Sequence, residues 1–236
     1  DLVRDGRLTG IEVVSADSRQ VYRFLDIGTA KPTEEERHTV PHHLVDILDP
    51  SETYSAGRFR RDAEAVIAEI LKRGSTPVVV GGTGLYLKAL VDGLSPIPRV
   101  PVDVVDRLRA EIASAGPAAL HERLQELDSP CAATIQPTDT QRIIRALAVH
   151  EATGKPLSRW WEEHPEKPPY RYVWLGIRWD RPQLRDRIAR RTRAMIARGL
   201  EREVRWLLDR GYTWEMNALA TVGYREWKHC FAGEIT

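Results

Sequence analysis

A carboxylate near the start of the chain has the position that a catalytic residue would need. Asp17 follows Ile11 to Ser15, a short apolar run rich in β-branched residues that predicts a buried parallel strand. Open α/β sheets bind their ligands at the carboxyl ends of such strands. There Asp17 could act as a general base, ligate magnesium or simply cap the next turn. Ser18, Arg19 and Gln20 continue it as a polar cluster.

A glycine-rich turn, Gly81-Gly82-Thr83-Gly84, follows a second apolar run at residues 77–80. Glycines let backbone N–H groups approach an anion at a helix N-terminus, and Thr83 adds a hydroxyl donor. The motif lacks the lysine and hydroxyl residue that end a Walker A loop, and it is not GxGxxG. Taken alone, a tight strand-to-helix turn is the simpler explanation, so both readings stay open.

A third group of polar side chains lies on a helix predicted between Asp139 and Thr153. Gln141 and Arg145 are four residues apart and share a face, with Arg142 beside them. Glutamine and arginine together can hydrogen-bond base edges and phosphates. Without other evidence, an ordinary polar surface helix is the simpler explanation.

Arginine dominates the basic side chains, because only six of the 35 Lys and Arg residues are lysines. Its planar fork suits phosphates and base edges, although a GC-rich genome would produce the same bias. Ten arginines against four acidic residues lie between Arg178 and Arg205. This local excess of positive charge either belongs to a solvated helix with ion pairs or faces a polyanionic partner.

Other features of the composition argue against a membrane protein and against a zinc site. No run approaches the roughly eighteen apolar residues that span a bilayer, and residues 1–7 do not resemble a signal peptide. Cys131 and Cys230 are far apart, which is typical of a protein from a reducing cytoplasm. His42 and His43 lack further ligands at zinc spacing, so we expect a structural role for them.

The first part of the chain alternates between strand and helix patterns, with glycine or proline between them. The predicted elements are strands at 11–15, 44–48 and 77–80 and helices at 55–73 and 85–90. Such alternation indicates an open α/β sheet.

The pattern changes after residue 98, since only helical periodicity occurs between residues 102 and 153. A predicted strand at 171–177 and an arginine-rich helix at 181–198 then return to the earlier alternation. We therefore predict an α/β core formed by residues 1–98 and 168–236, with an all-helical insertion at 99–167.

Six sequence blocks occur in an order that resembles one family, the tRNA dimethylallyltransferases (tRNA isopentenyltransferases). The blocks are Ser15 to Tyr22, Asp26 to Pro32, Pro41 to Leu44, Gly81 to Tyr86, Gln141-Arg142 with Arg145, and Val222 to Arg225. They cover nearly the whole chain, so a chance match of all six is very improbable.

The resemblance implies transfer of a dimethylallyl group from dimethylallyl pyrophosphate to the exocyclic N6 of the adenosine 3′-adjacent to the anticodon. It also implies a P-loop kinase-like core, a helical insertion that grips the anticodon stem-loop, Mg2+ at the pyrophosphate and a monomeric cytoplasmic enzyme. By the same resemblance Asp17 is the general base and Thr83 positions the reacting groups. The implied tRNA contacts are Asp17, Ser18, Arg19, Gln20, Gln141, Arg142, Ile143, Ile144, Arg145, Gly223, Tyr224 and Arg225.

The chain differs from the family pattern in its phosphate-binding residues. No Gly-x-x-x-x-Gly-Lys-[Ser/Thr] loop occurs among the 236 residues, and we expect that loop to precede Asp1. Arg187 and Arg191, four residues apart on the arginine-rich helix, are our candidates for the pyrophosphate. No metal ligand can be assigned from the sequence.

Two other functions remain open at this stage. An adenylate isopentenyltransferase or small-molecule kinase of the same fold would use a free nucleotide and would not need the helical insertion. A non-catalytic RNA-binding module would bind the stem-loop without prenyl transfer.

Overall fold

A small parallel sheet forms the framework of the computed structural model, which describes residues 10–163 and 170–234. Its strands are β1 (Ile11–Ser15), β2 (His42–His43) and β3 (Thr76–Val80), in the order β2-β1-β3. Val14 in the central strand pairs with His43 on one side and Val79 on the other. Because the strands are parallel, the loops that follow them meet at one edge of the sheet.

The described helices fall into two groups, one in the same unit as the sheet and one in a separate helical unit. In chain order they are α1 (Glu34–Thr39), α2 (Ala56–Lys72), α3 (Gly84–Asp92), α4 (Val102–Ala115), α5 (Pro117–Leu127), α6 (Ser129–Ala132), α7 (Thr140–Thr153), α8 (Leu157–Glu162), α9 (Arg181–Ala197), α10 (Leu200–Asp209) and α11 (Glu226–Phe231). No helix in the described ranges is both long enough and apolar enough to cross a membrane.

The chain divides into two compact units. One comprises residues 1–92 and 168–236 and contains the sheet, and the other is Gly93–Lys167. In its described part the second unit contains helices α4 to α8 and no strand. The α/β class with a helical segment follows the sequence pattern, although the helical unit begins a few residues before the predicted position 99.

The core of the sheet-containing unit depends on the apolar face of α2. Ser55 caps this helix by accepting a hydrogen bond from the Arg58 N–H. Phe59 and Ile70 on this face are 0% exposed, and the Phe59 ring stacks on Tyr86 at 4.5 Å between centroids. Burial of a side chain of this size contributes about 2 kcal/mol, so α2 holds α3 and the turn before it against the core.

The helical unit has its own core, in which α4, α5 and α7 meet. Leu108, Leu124, Ile143 and Leu147 are all 0% exposed. Gly154 ends α7 in a left-handed conformation with φ 68°, as its position after the apolar periodicity predicts. The exposed side of α7 is therefore set by which residues fill this core.

The prediction of a strand at residues 44–48 is wrong. The strand is the shorter His42–His43, and Leu44 and Asp46 have φ angles of 61° and 59°. A left-handed backbone at these two positions is incompatible with an extended strand. Only Leu48 still forms a bridge, with Tyr22.

The prediction of a strand at residues 171–177 is also wrong. This segment has no regular secondary structure, and Val173, Leu175 and Ile177 are 82%, 89% and 89% exposed. A strand needs a neighbouring backbone to accept and donate its hydrogen bonds, and no strand of residues 10–163 or 170–234 pairs with this segment. Apolar composition alone therefore misled the prediction.

Candidate active site

Asp17 lies at the carboxyl edge of the sheet, where β1 ends. The Ala16 N–H donates to the carbonyl of Val80 at 2.7 Å, which extends the strand pairing by one residue. One carboxylate oxygen of Asp17, Oδ1, then accepts from the N–H groups of Arg19 at 2.8 Å and Gln20 at 3.3 Å. Its Oδ2 has no hydrogen-bond partner in the described part of the chain. Asp17 thus caps the turn and still presents one carboxylate oxygen.

The glycine-rich turn packs directly against the Asp17 turn. The Thr83 N–H donates to the Ala16 carbonyl at 3.3 Å, and Thr83 Oγ1 accepts from the Ser18 N–H at 3.0 Å. Gly81 permits this approach, because a Cβ there would lie 2.2 Å from the Ala16 carbonyl oxygen. The structure therefore brings Asp17, Ser18 and Thr83 together, 65 residues apart in sequence.

Gln20 directs its side chain into the protein. Its Oε1 accepts from Ser15 Oγ at 3.2 Å, and its Nε2 donates to the carbonyls of Thr29 and Ala30, both at 3.2 Å. A cleft of about 560 Å³ lies beside Ser15 and Gln20, but neither Asp17 nor Thr83 lines it. Gln20 braces the Asp17 turn against the following loop, and its tRNA contact stays a prediction.

A buried lysine organises that following loop. Lys31 is 7% exposed, and its Nζ donates to the Tyr22 carbonyl at 2.8 Å and to Asp26 Oδ1 at 2.6 Å. A further bond joins it to Asp46, which Arg37 also contacts at 2.8 Å. A buried cation needs such partners to offset its desolvation. Sequence reasoning did not identify this cluster.

Arg19 connects the Asp17 turn with the C-terminal segment. Its Nη1 donates to the carbonyl of Asn217 at 2.5 Å. The Asn217 side chain donates in turn to the hydroxyl of Tyr22 at 3.0 Å. The Asp17 turn is therefore linked by hydrogen bonds to the C-terminal segment of the sheet-containing unit.

The predicted tRNA-binding segment Gly223-Tyr224-Arg225 mixes exposed and buried residues. Gly223 has φ 96°, and its N–H donates to Glu226 Oε2 at 2.7 Å. Tyr224 is fully buried, and its hydroxyl donates to Glu203 Oε1 at 2.5 Å. Burial first, and then the Glu203 charge, raise the Tyr224 pKa above its ordinary value. The Arg225 side chain is exposed and pairs with Glu226.

In the helical unit, α7 presents part of its predicted motif to solvent. Gln141, Arg142 and Arg145 are exposed, whereas Ile143 is buried and Ile144 is half-buried. Asp139 caps the helix by accepting from the Arg142 N–H at 3.1 Å, and it also lies 3.4 Å from the Arg142 Nε. The polar residues are available to a ligand. Ile143 and Ile144 pack on the core of the unit, and their tRNA contact stays a prediction.

The arginines of α9 are exposed along the whole helix, which has no buried residue. The Arg187 guanidinium lies over the Trp179 ring, 4.3 Å from its centroid. Among residues 10–163 and 170–234, neither Arg187 nor Arg191 forms an ion pair or a hydrogen bond with the Asp17 turn. Of the two alternatives for this helix, a network of ion pairs does not occur in the described part of α9, so these charges are accessible.

The paired histidines have structural roles. His43 Nε2 lies 2.7 Å from Glu12 Oε2, and Arg73 Nη2 donates to the same oxygen at 2.8 Å. Arg73 and then His43 lower the Glu12 pKa to about 2. His42 Nδ1 lies 2.7 Å from the Val40 carbonyl. The residues that the structure describes contain no group of three or more His, Cys, Asp or Glu able to hold a metal.

Comparison with known proteins assigns the family. Residues 20–236 match the model of the IPP transferase family. A tRNA dimethylallyltransferase of Roseiflexus sp. (strain RS-1) is 49% identical over 227 residues, which are 95% of this chain and 73% of that protein. The chain belongs to the tRNA dimethylallyltransferase family. A family member from Geobacter sulfurreducens is 47% identical over 225 residues, 95% of this chain and 72% of that protein.

Solved structures of the family share the fold. The tRNA isopentenylpyrophosphate transferase of Bacillus halodurans matches with a TM-score of 0.66 and 40% identity, over all of this chain and 73% of that one. A eukaryotic dimethylallyltransferase acting on tRNA matches with a TM-score of 0.77 and 28% identity, over 98% of this chain and 59% of that one. The predicted fold class and family are thus confirmed.

Two charged residues that each form several hydrogen bonds could not be found from local sequence patterns. Lys31 and Glu203 are charged residues in polar segments, and the sequence shows no periodicity that singles them out. Lys31 lies inside the Asp26 to Pro32 block, so its burial could have been suspected from the resemblance. For Glu203, the only sequence feature that could have drawn attention to it is its position between Arg202 and Arg205.

Proposed function

We propose that the protein transfers a dimethylallyl group from dimethylallyl pyrophosphate to N6 of the adenosine 3′-adjacent to the anticodon in tRNA. The product is N6-isopentenyladenosine. Family membership supports this proposal, since the relatives are named for this transfer to tRNA. The observation that carries it is the 3.0 Å hydrogen bond from the Ser18 N–H to Thr83 Oγ1, which holds the Thr83 hydroxyl beside the turn that carries the Asp17 carboxylate.

Asp17 acts as the general base in this proposal. The lone pair of an adenine amine is delocalised, so attack on carbon needs a group that removes the proton. As the bond from N6 to the allylic carbon forms, the bond from that carbon to the pyrophosphate oxygen breaks and the N6 proton passes to Asp17. Two backbone N–H groups hold Oδ1, which leaves Oδ2 as the acceptor.

Thr83 and the arginines of α9 serve the leaving pyrophosphate. Thr83 Oγ1 already accepts from Ser18, so its own proton is available to an anionic oxygen. The N-terminus of α3 begins at the next residue and offers backbone N–H groups there. Arg187 and Arg191 supply positive charge, which stabilises the charge that develops on the leaving group.

A divalent metal is consistent with a pyrophosphate substrate, and we propose Mg2+. Mg2+ usually keeps several waters and binds through one or two protein oxygens plus substrate phosphates. The described site fits this habit, because the Thr83 hydroxyl would offer one oxygen beside the substrate phosphates, although no three-residue metal cluster is present among the described residues. When bound, the ion would neutralise charge on the pyrophosphate.

The tRNA is held by residues of both units in this proposal. In the sheet-containing unit these are the Asp17 to Gln20 turn and the Gly223 to Arg225 segment. In the helical unit they are Gln141, Arg142 and Arg145. Ile143 and Ile144 hold this helix by packing on the core of the unit. Exposed arginines are suited to phosphates and base edges.

The test compares substrates on the full-length protein. We expect prenyl transfer from dimethylallyl pyrophosphate to an anticodon stem-loop RNA, and none to AMP. Transfer to AMP would instead support the adenylate isopentenyltransferase. RNA binding with no transfer to either substrate would support the non-catalytic RNA-binding module.

We also propose that the protein acts as a cytoplasmic monomer. Cys131 is buried and Cys230 is half-buried, and both are free thiols, which suits a reducing compartment. Light scattering of the protein with and without the stem-loop RNA would test the oligomeric state.

A further inference from the structure

Glu203 accepts hydrogen bonds from four donors that are distant in sequence. It lies in the first turn of α10, and its Oε2 accepts from the N–H groups of Asp26 at 3.1 Å and Ile27 at 2.8 Å. Its Oε1 accepts from the Gly28 N–H at 3.3 Å and the Tyr224 hydroxyl at 2.5 Å. One carboxylate thereby joins a loop near the N-terminus, helix α10 and the C-terminal segment.

The loop that Glu203 binds is connected to the Asp17 turn through the side chain of Gln20. After Gly28, the carbonyls of Thr29 and Ala30 accept from the Gln20 side chain, both at 3.2 Å. The Gln20 N–H in turn donates to Asp17 Oδ1 at 3.3 Å. Hydrogen bonds, linked by the backbone of residues 28–30 and by Gln20 itself, therefore connect Tyr224 through Glu203 to Asp17.

The site requires a carboxylate at position 203. All four of its partners are donors, so each needs a lone pair, and a carboxylate offers about four such positions. A glutamine would turn an NH2 group toward donors and lose at least one bond while leaving a polar group unpaired. The absence of a side chain at Gly28 leaves room for Tyr224, since a Cβ there would lie 2.4 Å from the Tyr224 ring.

We propose that Glu203 is a positioning residue for the prenyl transfer. It holds the 26–28 loop and, through Gln20, the orientation of the Asp17 carboxylate, and it fixes the Gly223 to Arg225 segment through Tyr224. This inference rests on the proposed function for its catalytic part. The claim that Glu203 holds the 26–28 loop rests on the hydrogen bonds alone and is measured separately.

The structural part is tested by NMR on Glu203→Gln, with Glu201→Gln as the matched control. Glu201 lies on the same helix but is exposed and pairs with Arg205 at 2.8 Å, away from the loop. We expect the backbone amide protons of Asp26, Ile27 and Gly28 to move upfield in Glu203→Gln and to stay unchanged in Glu201→Gln. Unchanged amide shifts in Glu203→Gln would overturn the assignment, whatever the enzyme does.

The catalytic part is tested by kinetics on the full-length protein. Glu203→Gln should lower kcat by about ten- to a hundredfold, the scale of a small misplacement of reacting groups, with little change in KM for dimethylallyl pyrophosphate. Glu201→Gln should keep wild-type kinetics. A Glu203→Gln variant with wild-type kcat would overturn the positioning role.

A double variant distinguishes positioning of Asp17 from a general loss of structure. If Glu203 acts through Asp17, Glu203→Gln should lower kcat far less in an Asp17→Asn background than in the wild type. Fully multiplicative losses would overturn this route. Absence of transfer by the wild-type protein would instead overturn the proposed function, and the NMR result would remain valid.

Discussion

Asp17 has two functions that a single substitution can separate. Its Oδ1 caps the turn through Arg19 and Gln20, and its Oδ2 is the proposed proton acceptor. Asp17→Asn keeps an acceptor oxygen for the turn but has no basic carboxylate. Asp17→Ala removes both functions.

We expect Asp17→Asn to lower kcat by about a hundredfold or more, the usual contribution of a general base. Binding of tRNA should weaken less than kcat falls. Asp17→Ala should also reduce the free energy of unfolding, because the turn loses its cap. Single-turnover prenyl transfer and chemical denaturation measure the two effects. A near wild-type kcat for the Asp17→Asn variant would show that Asp17 is not the general base.

Glu12 provides a prediction about pH. Arg73 and His43 lower its pKa from 4.5 to about 2, so the ionised form is favoured in the folded state. The stabilisation is present above pH 4.5 and is lost as the pH falls toward 2.

We therefore expect Glu12→Gln to lower the free energy of unfolding at pH 7 by about 1–2 kcal/mol, after allowance for solvent screening of the exposed Arg73. The difference from the wild type should shrink between pH 4.5 and pH 2. Denaturation at several pH values measures it, with the exposed Glu126→Gln as control. A difference that does not depend on pH would show that the ion pair is not its source.

At the scale of elements, the contact between two turns depends on one glycine. A Cβ at Gly81 would lie 2.2 Å from the Ala16 carbonyl oxygen, whereas a Cβ at Gly82 would meet nothing within 4 Å. Gly81→Ala should therefore separate the Thr83 turn from the Asp17 turn.

We expect Gly81→Ala to lower the free energy of unfolding by about 1–3 kcal/mol, the usual cost of overpacking, and to reduce kcat. Gly82→Ala should leave the free energy of unfolding nearly unchanged. Thermal denaturation of both variants provides the comparison. Equal stability of the two variants would contradict the close approach that the structure shows.

Helix α7 is the element that tests RNA binding in the helical unit. Arg142 and Arg145 are exposed, while Ile143 packs in the core. Their replacement should therefore affect a ligand more than the fold.

Replacing both arginines with alanine should raise KM for tRNA and leave the affinity for dimethylallyl pyrophosphate nearly unchanged. Each lost phosphate contact should reduce the salt slope of binding by about one. Arg109→Ala, an exposed arginine of α4 that pairs with Asp106, is the matched control. Normal tRNA binding by the double variant at several salt concentrations would make α7 an ordinary surface helix.

At the scale of the whole molecule, helices were predicted more accurately than strands. The periodicity of Phe59, Ala63, Ile67 and Ile70 specifies the buried face of α2 wherever the helix packs. A short apolar run does not specify a strand by its own pattern, because a strand forms only when another strand pairs with it. Hence residues 11–15 form a strand beside β3, whereas residues 171–177 do not form one.

The sequence by itself determined helices α2 to α5, α7 and α9, the α/β class and the order of motifs from which the family resemblance follows. These properties depend on residues that are close in the chain or on recurring blocks. Tertiary structure alone decided that Gln20 points inward, that Tyr224 is buried and that Glu203 binds a loop 175 to 177 residues away. The contacts of Gln20 and most of those of Glu203 join polar side chains to backbone groups, and backbone groups carry no sequence signature.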